Sequence, residues 1–353
     1  GYDHHERYWD HVALGKWRVL LRATVYRLEC PRDGVVTEAV SWAAHGSRFT
    51  LDFEHLVAWL AREMNKTAVT RLMHIAWATV GHIIERVVER KLDPGRLERL
   101  YVMGVDEVSY RKGHKYLTVV ADHATGNAAW LGEGRSQESF GKFFDELGQE
   151  RSEKVAVVTM DMSAPYMAET RERAPNALIA FDPFHVVKLA NEAVHQVRRT
   201  EARDRKGSTE ADVLKGSRWA LLKAPESLKD DEKVRLSEVA QLNKRVYRAY
   251  LLKEELRALY QCSPRAAETH VQSWLAWASR SKLTPFTKLA RTLRRHLDGV
   301  LTAIRLGVSN GRLEGLNNKI KMIIHRAYGF HSVKALIAMV YLCCGGITVE
   351  LPI

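Results

Sequence analysis

The feature that most constrains this chain is a succession of short apolar runs, each meeting a bare carboxylate. "LYVMGVDEVS" meets Asp106, "KVAVVTMDMS" meets Asp161 and "NALIAFDPFHV" meets Asp182. Such runs, rich in Val and Ile and bounded by turn residues, read as strands. An ionised Asp at the end of a buried strand needs a partner, because an unpaired buried charge is expensive. Strand ends in a mixed sheet are also where side chains leave the core and functional groups collect. Two further runs, "KYLTVVADHATG" and "NAAWLGEG", follow the first as strands. Helices are expected at "SQESFGKFFDELG", opened by Ser136, and at "APYMAETRER", with Pro165 in its first turn.

Three antiparallel strands followed by strands separated by helices is the ribonuclease-H-like order, so the fold class is mixed α/β. Residues 96–185 carry the first part of this core. Before it, "DFEHLVAWLAREM" repeats apolar residues at helical spacing, and "NKTAVTRLMHIAWATVGHIIERVVERK" divides into a short and a longer helix around Ile75–Trp77. Asn65 or Thr67 can cap the middle helix. Three helices with a tight turn between the last two predict a helix-turn-helix over residues 51–95, closed by "LDPG". Residues 1–50 read as a small, irregular N-terminal module with a short strand or two in "WRVLLRATVYRLEC". Residues 186–308 contain no convincing strand and read as an all-helical insertion; residues 309–353 return to the core through "SNGRLEGLNNKIKMIIHRAYGFHS", with Ser309 or Asn310 as cap.

The formal net charge of +12 favours a polyanionic partner, with nucleic acid the commonest. Four cysteines without framework spacing point to a reducing cytosol. No run is apolar for the roughly 18 residues a membrane helix needs, and no signal peptide is legible. The chain begins at Gly1, not Met, which leads us to expect residues upstream.

The stretches "GVDEVSYRKGHKYLTVVAD", "TMDMSAPY", "AFDPFHVVKLAN" and "SNGRLEGLNNKIKMIIHRAYGFHS" together resemble the DDE transposases of the ISL-three group of bacterial insertion sequences. The resemblance runs from about residue 20 to the end. By position it carries the family's acid triad onto Asp106, Asp161 and Glu314, and its helical insertion onto residues 186–308. It implies an enzyme that binds the terminal inverted repeats of an insertion sequence as a homodimer or larger assembly, then cleaves and joins double-stranded DNA with Mg²⁺ or Mn²⁺. It also implies a bacterial cytoplasmic, nucleoid-associated protein.

The chemistry explains three acids. Phosphodiester transfer needs an activated nucleophile, a stabilised leaving oxygen and neutralised phosphoryl charge, which two divalent ions supply. Mg²⁺ prefers oxygen ligands and keeps several waters, so a few carboxylates suffice. Without a cation, like charges at ~4 Å repel by about 4 kcal/mol per pair at an effective dielectric of ~20. Asp182 and His185 are expected beside the metal ligands or as DNA-positioning groups. Glu107 falls on the opposite strand face from Asp106 and is disfavoured as a ligand.

Expected DNA contacts are Lys66 and Arg71 to phosphates, and Thr79 and His82 to base edges from the second helix of the helix-turn-helix, where Trp77 and Val80 also lie. Arg111, Lys112 and Lys115 in the turn beside Asp106, and Asn318, Lys321 and Arg326 on the last acid's helix, complete the set. Trp274 or Trp277 could stack on bases, with core packing the plainer reading. The family resemblance also implies an N-terminal zinc module; only Cys30 fits it as a ligand, with Asp33 where a second Cys would stand and His4 and His5 as weak alternatives. Structural zinc needs four ligands. Rival readings are a ribonuclease-H-like nuclease that does not join, and a non-catalytic DNA-binding regulator derived from a transposase.

Overall fold

The computed structural model describes residues 2–351. The described residues divide into two units, one of residues 2–99, 107–135 and 315–351, the other of Leu100–Asp106 and Ser136–Glu314.

The first unit opens with an antiparallel sheet of β1 (Asp3–Leu14), β2 (Trp17–Cys30) and β3 (Gly34–Thr37). The expectation of an irregular segment is corrected: β1 and β2 run 12 and 14 residues. Gly15, at φ +60°, supplies the left-handed turn between them. The strand period is masked because both faces are polar along most of their length. One face buries only Trp9 and Val25, against Ala43. Ion pairs Arg18–Asp10, Arg22–Glu6 and Arg27–Asp3 cross between the two strands.

Three helices follow: α1 (Leu51–Glu63), α2 (Lys66–Met73) and α3 (Trp77–Lys91). Thr50 caps α1 by accepting the Phe53 N–H, and Asn65 caps α2 by accepting the Ala68 N–H at 2.9 Å. His74, in the left-handed region at φ 53°, ends α2 and makes the tight turn. Val57, Val69, Val80, Ile83 and Val87 are fully buried along these helices. Glu54 is fully buried too, and accepts from Arg86 Nε at 2.8 Å, Arg90 Nη1 at 2.6 Å and Ser47 Oγ at 2.9 Å.

The central sheet is mixed: β4 (Val102–Arg111), β5 (Lys115–Asp122), β6 (Ala128–Glu133), β7 (Val157–Met160) and β8 (Leu178–Phe181), in the order β6-β5-β4-β7-β8. All five apolar runs of the sequence became strands. β5 and β6 are antiparallel, whereas β4–β7 and β7–β8 are parallel. One expectation fails: β4 does not end at Asp106 but continues to Arg111. Its polar second half lies in the hairpin with β5, and its pairing with β7 stops at Gly104↔Thr159. Asp106 therefore stands where β4 loses its parallel neighbour. Glu107 lies 3.9 Å from Arg135, in keeping with its place on the other face.

Between β6 and β8 come α4 (Gln137–Leu147), α5 (Gln149–Ser152) and α6 (Ala164–Arg173). Ser136 caps α4 as expected. Beyond β8 the second unit is helical among its described residues: α7 (Pro183–Asp204), α8 (Thr209–Gly216), α9 (Arg218–Leu222), α10 (Asp230–Leu242), α11 (Lys244–Ala258), α12 (Pro264–Arg280), α13 (Thr284–Arg295) and α14 (Leu297–Leu306). Helix α14 packs on β8, where Gly299 lies so close to Phe181 that a Cβ would sit 2.4 Å from its ring. Trp274 is core, its indole donating to the Leu252 carbonyl at 2.8 Å, so it is not a stacking platform.

Two helices close the chain: α15 (Gly311–Arg326), whose first turn carries Glu314, and α16 (Val333–Cys344), which packs against α3 and β6. None of the described helices is long and apolar enough to cross a membrane.

Candidate active site

Strand register brings the first two acids together. Val102, Met103 and Gly104 pair with Val157, Val158 and Thr159, so Asp106 and Asp161 each lie two residues beyond Gly104↔Thr159 on adjacent parallel strands. Both side chains are half-buried. Asp182 follows β8, the next strand, as the first residue of the turn into α7, and is only 4% exposed.

His185, in the first turn of α7, joins these carboxylates. Its Nδ1 lies 3.0 Å from Asp182 Oδ2 and its Nε2 3.6 Å from Asp161 Oδ2. The hydrogen bond to Asp182 raises the imidazole's pKa against the opposing effect of burial, and the charges of Asp161, Asp182 and Asp106 add to the rise. Burial pushes Asp182 up, but hydrogen bonds from His185 and from backbone N–H groups outweigh it and hold the carboxyl below its usual range.

Glu314 is tied to the same cluster through its helix. The Asn310 N–H donates to Asp182 Oδ1 at 3.0 Å, and the Asn310 carbonyl accepts the Glu314 N–H at 2.7 Å. The Thr159 hydroxyl donates to Asn310 Oδ1. The turn that starts α15 is thereby fixed to β7 and to Asp182. Asn310 was legible only as a helix cap; its bond to Asp182 and the role of Thr159 had no sequence signal, because neither is local. The Glu314 side chain is exposed.

The donor set suits a hard divalent cation. Asp161 Oδ1 is buried without a hydrogen-bond partner, an acceptor that a cation would satisfy. Asp161, Asp182 and His185 line a cavity of about 290 Å³ beside it. Among the described residues, however, no group of three or more His, Cys, Asp or Glu side chains is gathered to hold a metal ion. The same holds for the zinc expectation. Cys30 pairs with Gly34 and its thiol contacts Asp33 at 3.4 Å, while His4 pairs with Tyr26, so the strand register does not set the histidines opposite the cysteine.

The basic residues divide. Arg71, His82, Arg111, Lys112, Lys115, Asn318 and Lys321 are exposed, and Thr79 is half-buried. Val80 is core. Lys66 turns inward: its ammonium lies 3.4 Å from the Trp77 ring centroid, and burial lowers its pKa to about 8. Arg326 is a correction. Its guanidinium donates to the Ala61 carbonyl at 3.1 Å and to that of Arg62, capping the C-terminal end of α1, so it is committed within the protein. Tyr328, in the turn after α15 at φ 54°, is 94% exposed.

A mixed sheet with aspartates at matched strand positions, joined to a helix-turn-helix, defines a DNA-acting enzyme of the transposase class. A family model described as "Transposase" matches residues 103–340, and one described as "Helix-turn-helix domain of transposase family ISL3" matches residues 38–88. The chain is 38% identical to the transposase for insertion sequence element IS1557 of Mycobacterium tuberculosis, over 98% of this chain and 83% of that protein. It is 31% identical to the transposase for IS1001 of Bordetella parapertussis, over 90% of this chain and 80% of the relative. The chain belongs to the ISL3 family of DNA transposases.

Proposed function

We propose that the chain is a DDE transposase that binds the terminal inverted repeats of its insertion sequence, cuts there and joins the released 3′ end to target DNA. Asp106, Asp161 and Glu314 are the acids, and the core is ribonuclease-H-like. The observation that carries this reading is the matched register of Asp106 and Asp161, with the start of the Glu314 helix hydrogen-bonded to Asp182 beside them.

Mg²⁺, when bound, would supply charge neutralisation at the phosphate and activation of the attacking oxygen. Asp106 and Asp161 would hold it from the sheet, and Glu314 would complete the acid set when DNA is present. Asp182 orients His185 and anchors Asn310, so it is a positioning residue. His185, shared between Asp161 and Asp182, fixes the Asp161 side chain and offsets part of the negative charge while the cluster is empty of substrate. Arg111, Lys112 and Lys115, exposed in the β4–β5 turn, and Asn318 and Lys321, exposed on α15 with Glu314, would contact the DNA backbone. In the helix-turn-helix, Thr79 and His82 would reach base edges and Arg71 a phosphate. Binding two transposon ends calls for a homodimer or larger assembly on DNA, with the protein held on the bacterial nucleoid.

The test is a strand-transfer assay with DNA bearing the ends of the element, a target plasmid and Mg²⁺ or Mn²⁺. Products joined to the plasmid are expected. Cleavage without joining would leave a nuclease, and end binding with no metal-dependent cleavage would leave a DNA-binding regulator.

A further inference from the structure

The helical insertion contains positive charge that the chain does not neutralise. Arg198, in the fifth turn of α7, is 8% exposed. Its Nη1 donates to the carbonyls of Leu214 at 2.9 Å and Lys215 at 3.3 Å, at the end of α8, and its Nη2 lies 3.4 Å from His195 Nδ1. Its Nε is buried with no hydrogen-bond partner. The charged groups it feels are Arg218 and Arg199, both exposed and of its own sign; with burial, they push the guanidinium below its ordinary range. His195 is lowered by burial and by the same three arginines, with Glu192 opposing.

A basin of about 680 Å³ opens over this cluster, lined by Arg198, Arg199, Arg203, Lys206 and Lys215 and by no acidic residue. Glu201, the acid nearest in sequence, is buried, does not line the basin and is already paired with Arg205 and, at 2.8 Å, with Arg245. Asp212 and Asp204 form exposed pairs, with Lys215 at 2.9 Å and Arg203 at 3.4 Å, of the kind that solvent screens strongly. Beside the cluster, Trp219 is 60% exposed, with the Arg218 guanidinium 5.0 Å from its ring centroid. A fold gains nothing by gathering like charges around a buried, partly unsatisfied guanidinium. An anion bound in the basin would offset the repulsion among these cations.

Helix α7 also sets the distance to the acids. His185 and Arg199 lie on this one continuous helix, about 21 Å apart along its axis at ~1.5 Å per residue. At ~3.4 Å per base pair, that spans about six base pairs of duplex.

We propose that this basin is a phosphate-binding subsite for duplex DNA, in which Arg199 on its lining and exposed Arg218 outside it, close enough for its charge to reach Arg198, contact backbone phosphates about six base pairs from the bond being cut. Arg198 supplies buried charge behind them, and Trp219 packs against the sugar-phosphate edge. The proposal rests on the transposase reading for its distance from the cut, but not for the subsite itself.

The test measures binding of a random-sequence duplex probe of about 30 base pairs to the full chain by fluorescence anisotropy, over about 50–200 mM salt. Arg199→Ala with Arg218→Ala should lower the slope of log K against log salt by about 0.9 for each phosphate no longer neutralised, and weaken binding on the order of tenfold. The melting temperature without DNA should hold or rise, since two mutually repelling cations are removed. An unchanged slope would overturn the subsite. So would a lower melting temperature, which would make the arginines structural. The probe carries no transposon end and the buffer no divalent metal, so this result is independent of catalysis. On end-bearing DNA, neutral methylphosphonates about five to seven base pairs from the cut should weaken wild-type binding but not binding by the double variant; equal weakening of both would overturn the distance.

Discussion

Two buried charge clusters in this protein are solved in opposite ways. In the helix-turn-helix, the fully buried Glu54 meets two guanidinium groups and a hydroxyl, so its negative charge is answered by the chain itself. In the insertion, buried Arg198 meets helix-end carbonyls and further arginines, but no carboxylate. The acids at the strand ends resemble the second case with the sign reversed: three carboxylates surround one imidazole, and Asp161 Oδ1 is left without a donor. Glu54 is neutralised inside the chain, whereas charge is left incomplete at the two places we propose for a polyanionic substrate and its cations. The net charge of +12 is thus less informative than the places where positive charge goes unmatched.

The sharpest way to break this contrast is at the acids. Asp106→Asn or Asp161→Asn should lower strand transfer by on the order of 10³-fold or more, the scale for removing an electrostatic group at a reacting centre. Their melting temperatures should hold or rise, because each removes a like charge from the cluster. A variant that unfolds while losing activity would place its Asp with Glu54, among the structural charges.

Glu54 should behave in the reverse manner. Glu54→Ala leaves Arg86 and Arg90, both partly exposed, without their buried acceptor and should cost about 1.5–3 kcal/mol of stability, read by urea unfolding of the full chain. Replacing Glu54, Arg86 and Arg90 together by Leu and two Met should recover most of that loss. If the single change were silent, the distinction between answered and unanswered charge would fail. Asp182 stands between the cases: buried and paired with His185, yet holding Asn310 at the head of the Glu314 helix. Asp182→Asn should therefore lower both stability, by about 1–3 kcal/mol, and strand transfer.

What local pattern encodes was legible in the sequence. Five apolar runs became five strands, Asn65 and Ser136 cap as expected, and the tight turn precedes Trp77. Legibility ends where a partner far along the chain decides the outcome. Asp106 has the local look of a strand end because β4 turns polar there; hairpin pairing carries the strand on to Arg111. The N-terminal sheet is hidden because cross-strand ion pairs such as Arg22–Glu6 fill positions where apolar residues would have marked the period. Arg326 resembles a DNA contact, since a basic residue at a helix end has the same local signature whether it meets phosphate or the carbonyls of α1. The Arg198 cluster lies in a stretch legible only as part of an all-helical insertion; only folding brings the charge of Arg218 to bear on it.

The smallest expected effect lies at Lys66, which tests whether a half-buried cation can be answered by an aromatic face with only the charge of Glu85 to help it. Its pKa is lowered to about 8, below the ordinary lysine range, because burial penalises the ammonium; Trp77, at 3.4 Å, offsets part of that penalty. With the folded pKa below the unfolded one, the unfolded chain binds more protons between the two values. Stability should therefore rise as pH increases from about 8 towards the ordinary lysine pKa, and the penalty should be present in full below that window. Lys66→Met should remove the rise and leave stability near neutral pH equal or slightly higher, as read by urea midpoints at a series of pH values. If wild type and Lys66→Met instead follow parallel curves, the Trp77 face neutralises the penalty, and Lys66 joins Glu54 among charges that the fold answers for itself.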